Sequence, residues 1–300
     1  MAVVSVAHAD YVWSGPNSIT TDGWKNKDNW TLTSGSVWKD GTNGPGITDS
    51  NMWDKIVISG ASSSGAIGNE DRFRIEGWEL KMELKDSSKL TFDRVYKFQN
   101  GCEITIDSTS ALTFNTFYDG TDSGVITLNN AGEFNLGYSI RQQGGDGFKM
   151  NLYDTGVVNL FQQNGNGNNR ARVASVEAQL VSTVPGIQTR KLITMEGDRM
   201  DFSYVLIDDP DSNDESKKIE SDTYETTTYK FTDVNGQEMT AVNSMEALLT
   251  ATAPAYYVTK SHTGISVSYT YGLNVPEPTT ATLSLLALCG LAARRRRASR

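Results

Sequence analysis

The chain has 300 residues, a formal charge of -9, two cysteines and two histidines. With the C-terminal 275–300 segment removed, the remaining chain stands at about -13, a surface that repels nucleic acid and anionic membranes at long range. Cys289 falls in an apolar tail and Cys102 is the one cysteine of the body, so the body must hold together by packing and not by an internal disulfide.

Residues 1–9 end in Ala7-His8-Ala9 ahead of Asp10, the small-x-small pattern a signal peptidase cuts. They are read as the remnant of a signal peptide, with the mature protein beginning at Asp10. Residues 10–59 hold five of the six tryptophans: Trp13 (in Trp13-Ser14-Gly15), Trp24, Trp30, Trp38 and Trp53. A Trp-x-Gly, a later Asn29-Trp30 and a first strand at Lys55 to Ile58 resemble the opening of exported bacterial β-solenoid and autotransporter-type proteins. Two uses of the indoles follow. They form a hydrophobic cap over the open end of a solenoid, or Trp24, Trp30 and Trp38 present faces that stack on sugar rings.

Residues 60–164 carry the repeat. Lys81 to Phe92, Glu103 to Phe114, Val125 to Leu136 and Lys149 to Leu160 align without gaps, with starts 22, 22 and 24 residues apart. Each is apolar at positions 2, 4, 10 and 12, with turn formers at 6 to 8, so each reads as strand, turn, strand. A period near 22 with two or three short strands fits one coil of a parallel β-helix. Stacking should set Ile104 near Met82 and Ile126, and Phe92 near Phe114 and Leu136. Val95 to Phe98, Phe117-Tyr118 and Tyr138 to Ile140 could add a third strand per coil, and Lys55 to Ile67 an earlier coil. The outward columns Glu83, Thr105, Thr127, Asn151 and Thr91, Thr113, Asn135, Asn159 are either self-stacking ladders or a flat glycan-facing surface. An antiparallel sandwich of hairpins fits the same phrases. The fold class is all-β, a short parallel β-helix between a Trp-rich cap and a C-terminal β-rich unit.

Gly165 to Asn169 is the candidate boundary to that unit, residues 170–274. Strand-like runs fall at Arg172 to Val181, Lys191 to Met195, Phe202 to Ile207, Thr226 to Phe231, Tyr256 to Thr259 and Ile265 to Tyr271. A helix is expected from Ser244 to Leu249, capped by Asn243 with Glu246 three residues on. The unit should close the solenoid and present the tail, or else form a separate β-sandwich.

Chemistry is sparse. His262 reads as a turn residue with no nucleophile elbow beside it, and Cys102 as a small buried hydrophobe. Asp209, Asp211, Asn213 and Glu220 approach the spacing of a calcium loop. However, Asp214 stands where that loop needs glycine, so a solvated acidic turn is the simpler account. Asp86, Ser108, Asn130 and Asp154 share repeat position 6, with Asp107 and Arg141 nearby. They give no carboxylate pair on adjacent coils, as a β-helix lyase or hydrolase would need. No cofactor and no enzymatic activity are expected.

Residues 275–300 run Val275-Pro276-Glu277-Pro278, an uncharged stretch from Thr279 to Ala293, then Arg294, Arg295, Arg296 and Arg297. Fifteen helical residues span roughly 22 Å, short of a hydrocarbon core of roughly 30 Å. The four arginines resist translocation. This order resembles the PEP-CTERM protein-sorting signal of Gram-negative bacteria. The resemblance covers about a tenth of the chain. It implies a transmembrane helix that anchors the protein transiently in the inner membrane. It also implies recognition by an exosortase, a membrane-embedded transpeptidase, and a final place at the cell surface or outside the cell. Such proteins are often associated with exopolysaccharide.

Overall fold

The computed structural model describes residues 9–35, 55–68, 80–96, 101–119, 125–141, 147–153, 155–161, 173–196, 228–261 and 263–272. The chain enters through β1 (Ala9–Trp13) and β2 (Ser18–Ile19), turns through α1 (Thr21–Lys25) and a 3-10 turn at Lys27–Asn29, and doubles back as β3 (Trp30–Gly35). Strands then come in couples: β4 (Lys55–Ser59) with β5 (Ser62–Ser63), β6 (Lys81–Lys85) with β7 (Lys89–Tyr96), and β8 (Glu103–Ile106) with β9 (Ala111–Asp119). They continue as β10 (Val125–Asn130) with β11 (Glu133–Arg141), β12 (Gly147–Leu152) with β13 (Val157–Phe161), and β14 (Val173–Gln179) with β15 (Gly186–Glu196). The described chain closes with β16 (Thr228–Thr232), β17 (Thr240–Ala241), α2 (Met245–Leu249), β18 (Ala255–Ser261) and β19 (Gly264–Tyr271).

The first member of each couple lies in a nine-stranded sheet ordered β16-β14-β12-β10-β8-β6-β4-β1-β3. The second lies in a ten-stranded sheet ordered β17-β18-β19-β15-β13-β11-β9-β7-β5-β2. Neighbouring couples pair in parallel in both sheets. The chain therefore climbs one strand per sheet per coil, which is a β-solenoid and not the antiparallel sandwich. Among the described strands, antiparallel pairing is confined to the ends, β1 with β3 and β19 with β15 and β18.

The alternation produces this directly. In β6 and β8, Met82, Leu84, Ile104 and Ile106 point inward and are buried, while Lys81, Glu83, Glu103 and Thr105 point out. Across the turn, Leu90, Phe92, Leu112, Phe114, Phe134 and Leu136 fill the other half of the core. Phe114 meets Phe92 and Phe134 at ring-centroid distances of 6.0 and 5.5 Å, tilted or edge-to-face, a packing that aromatic quadrupoles favour.

Three details differ from the sequence reading. Ile104 pairs with Met82 as expected, but its other neighbour is Leu128 and not Ile126. Four residues, Asp107 to Ser110, join β8 to β9, whereas only Ala131 and Gly132 join β10 to β11. The gapless alignment hid this because a slip of two residues keeps every side chain on its own face. The supposed third strands are also the outer ends of β7, β9 and β11, where Val95 pairs with Phe117 and Phe117 with Ser139. Finally, the cap of α2 is Ser244, whose Oγ accepts from the Ala247 N–H at 3.1 Å, one residue later than Asn243.

Residues 165–169 lie outside the described residues, yet both sheets run on beyond them. β14 pairs with β12 and then β16, and β15 pairs with β13. Lys55 to Ile67 is indeed an earlier coil: β4 pairs with β6, and Ile67 bridges to Phe92.

Candidate functional site

The solenoid offers two outer faces. On the second sheet, Asn135 Nδ2 donates to Thr113 Oγ1 at 3.1 Å, and Asn159 Nδ2 donates to Asn135 Oδ1 at 2.8 Å. On the first sheet the column is Glu83, Thr105, Asn129 and Asn151, with Asn129 in the place expected for Thr127. There Asn151 Nδ2 donates to Asn129 Oδ1 at 2.8 Å, and Asn129 Nδ2 donates to Glu103. These amides satisfy one another along the stacking axis, which ties each coil to the next.

Beyond Asn151 the first-sheet column changes to Glu177 and then Lys230. The adjoining row on β14 and β16 holds Gln179 and Thr232, beside half-exposed Tyr153. Together with Lys149 they line an open concavity of about 260 Å³. Lys149 reaches Glu177 at 3.4 Å, and Gln179 Nε2 is held by the Asp233 and Val234 carbonyls at 3.1 Å each. One aromatic ring, fixed amides and charges of both signs can take a polar ligand with an apolar face. Glu177 is its single carboxylate among the described lining residues, so they offer no acid-base pair. The gapless repeat alignment ended at Leu160 and never reached β14 and β16, so this site escaped the sequence reading.

At the corner between the sheets, Asp86 and Ser87 adopt φ of 57° and 68°. Asp86 N–H donates to Asp107 Oδ2 at 2.7 Å, Thr109 N–H donates to Asp107 Oδ1 at 2.9 Å, and Ser59 donates to Asp86. Slight burial pushes the Asp107 carboxyl up, but hydrogen bonds from Ser110, Asp86 and Thr109 outweigh it and hold the group below its ordinary 3.8. One coil on, Asn130 points inward and is buried. Its Nδ2 donates to the Val157 carbonyl at 2.8 Å, and its Oδ1 accepts from the Gly132 N–H at 3.0 Å. This corner is structural: its donors and acceptors are spent on the turns.

Two of the three tryptophans considered for sugar stacking, Trp24 and Trp30, are inside. Trp24 is 0% exposed and Trp30 is buried, their rings edge-to-face at 4.8 Å, with Trp24 also against Phe92 at 5.1 Å. Neither has a free face. Trp13 completes the stopper, and Gly15 is required beside it because a Cβ there would sit 2.7 Å from the Trp13 ring and from Asn29. Trp38, Asp154 and His262, the acidic positions Asp209, Asp211, Asn213 and Glu220, and the whole tail, Pro276, Glu277, Pro278 and Arg294 to Arg297 included, lie outside the described residues. Among the described residues, no group of three or more His, Cys, Asp or Glu side chains is placed to hold a metal ion. No described helix is long and apolar enough to cross a membrane.

Residues 274–297 match the family model of the PEP-CTERM protein-sorting motif. The chain carries this sorting signal. The signal implies export, processing by an exosortase-type membrane protein, and transient membrane anchoring before arrival at the cell surface. No curated protein and no solved structure matches the chain.

Proposed function

We propose that the folded body is a non-enzymatic structural protein of the cell surface or extracellular matrix, delivered by its sorting signal and working in contact with exopolysaccharide. The observation that carries this reading is the run of self-satisfied coils. Buried aromatics fill the inside, Asn and Thr ladders tie the outside, and the turns consume the corner carboxylate of Asp107. Such a body is a stiff rod whose polar faces carry little reactive chemistry, which suits a spacer or scaffold.

The concavity around Tyr153 supports a second reading, a carbohydrate-binding module. A tyrosine ring flanked by Asn151, Gln179 and Glu177 can stack on a pyranose and hydrogen-bond its hydroxyls. Co-sedimentation of the purified protein with the exopolysaccharide of its own cells separates the two. Retention that survives Tyr153→Ala fits the scaffold, whereas retention lost in that variant with the fold intact moves the function to the groove. Release of soluble oligosaccharides from the same polymer would defeat the non-enzymatic reading.

A further inference from the structure

β19 ends at Tyr271 opposite Gly186, and Gly272 lies against Pro185, 3.3 Å from its nearest atom when a Cβ is built there. The chain therefore leaves the solenoid at the corner formed by residues 181–186. Val184 and Val181 stand exposed at that corner, 57% and 50%, with the Val181 carbonyl accepting from Tyr269 Oη at 2.9 Å. Val234 is tied to the same corner by Gln179, two residues before Val181, whose amide donates to the Val234 carbonyl. The start of β18, to which the turn after α2 leads, abuts the end of β19, since Ala255 N–H donates to Thr270 Oγ1 at 2.9 Å. α2 itself packs against β18 and β19 and carries Leu249, 67% exposed, and Met245 outward while Leu248 is buried. Apart from Tyr153, these five are all the exposed large hydrophobic side chains among the described residues. They lie on the elements that close the last coil, from which the chain departs.

The remaining chain is short. Leu273, Asn274 and Val275 alone separate Gly272 from Pro276, a reach of at most about 14 Å at about 3.5 Å per residue. The uncharged run starts at Thr279, so once it enters the bilayer Gly272 is held within roughly 25 Å of the hydrocarbon. The charged residues next to the rim in sequence, Asp233 and Glu246, are acidic, so the attraction is apolar and needs no anionic lipid.

We infer that the rim of Val181, Val184, Val234, Met245 and Leu249 is a lipid-docking surface that seats the solenoid end-on against the membrane while the tail is inserted. This holds the Pro276-Glu277-Pro278 segment at the bilayer surface, where a membrane-embedded peptidase can reach it. The inference rests on the reading of the tail as membrane-inserted, and the test separates the two.

The full chain is reconstituted in phosphatidylcholine nanodiscs carrying a headgroup-level spin-label quencher. A fluorophore is placed by Val184→Cys or Leu249→Cys, and at the opposite end by Ser34→Cys as reference, each with Cys289→Ala. Cys102 is buried and stays unlabelled, while native Cys289, labelled separately, reports on the tail. Seating of an apolar rim ~5–10 Å into the interface should quench the labels at 184 and 249 roughly threefold or more over that at 34. The effect should persist in high salt. Equal quenching at 184, 249 and 34 with Cys289 strongly quenched overturns the docking surface alone. An unquenched Cys289 label overturns the inserted tail, and the docking surface with it.

Discussion

At its first coil the solenoid is stoppered by Trp13, Trp24 and Trp30, three buried indoles meeting edge-to-face at centroid distances of 5.0 and 4.8 Å. At its last coil the same task falls to β18, β19 and α2, which bury Leu248, Tyr256, Ile265, Val267 and Tyr269 and leave Val181, Val184 and Leu249 in solvent. At each end one of the two sheets turns antiparallel, β3 against β1 and β19 against β15, which interrupts the parallel stacking in that sheet. The difference lies in the side chains. The first end only has to keep water out of the core, and bulky rings do that completely. The last end must also let the chain out after Tyr271, and exposed Val181 and Val184 stand on the loop beside that exit.

The largest effect should come from removing the stopper. Trp24→Ala should cost about 3–5 kcal/mol in urea unfolding, while Leu249→Ala should stay within about 0.5 kcal/mol. Equal costs would erase the distinction between a sealed and an open end. Between the ends, Asn130→Ala leaves the Val157 carbonyl and the Gly132 N–H without their partner, and about 1–3 kcal/mol should be lost. A neutral Asn130→Ala would mean that the shortened turn does not depend on its asparagine. The outer ladder should matter least: Asn159→Ala should lose no more than about 1 kcal/mol by the same measurement.

pH should separate the closing end from the corner. Burial, with Glu238 adding to it, pushes the Tyr256 phenol above its ordinary 10.0. Burial also raises Tyr269, where Arg190 opposes the shift and Tyr271 adds to it. A raised phenol favours the fold while neutral, so this stability is full below pH 10 and fades as pH climbs through the folded values. Phenolate absorbance should show these two ionising late, together with loosening of the last coil. Asp107 has the opposite sign. Its lowered carboxyl supports the fold above its ordinary 3.8 and loses that support as pH falls through the depressed value. Asp107→Asn should therefore flatten the acid limb of the stability profile and leave the alkaline limb unchanged.

Much of this was legible in the residues. The 22-residue phrases announced the coils because Met82, Ile104, Leu112 and Phe114 alternate with polar neighbours, and burial acts on that alternation directly. The tail was legible because its three parts are contiguous. The two-residue slip at Leu128 was not, since parity is blind to it, and neither was the continuation through β14, β15 and β16, whose coils have lost the phrase. The indoles show why composition misleads about sites. Trp24 and Trp30 have the chemistry of a sugar platform, but α1 and β3 fold them inward. Tyr153 earned no attention in the sequence because only its stacking against the row of Gln179 and Thr232 makes a concavity.

The central claim is a solenoid body delivered by a signal that is then removed. Intact-mass measurement of the protein recovered from the surface of its native cells tests it most directly. The account predicts a chain that begins at Asp10 and ends near Pro278, without Thr279 to Arg300. A surface form that still carries the arginine cluster would contradict it.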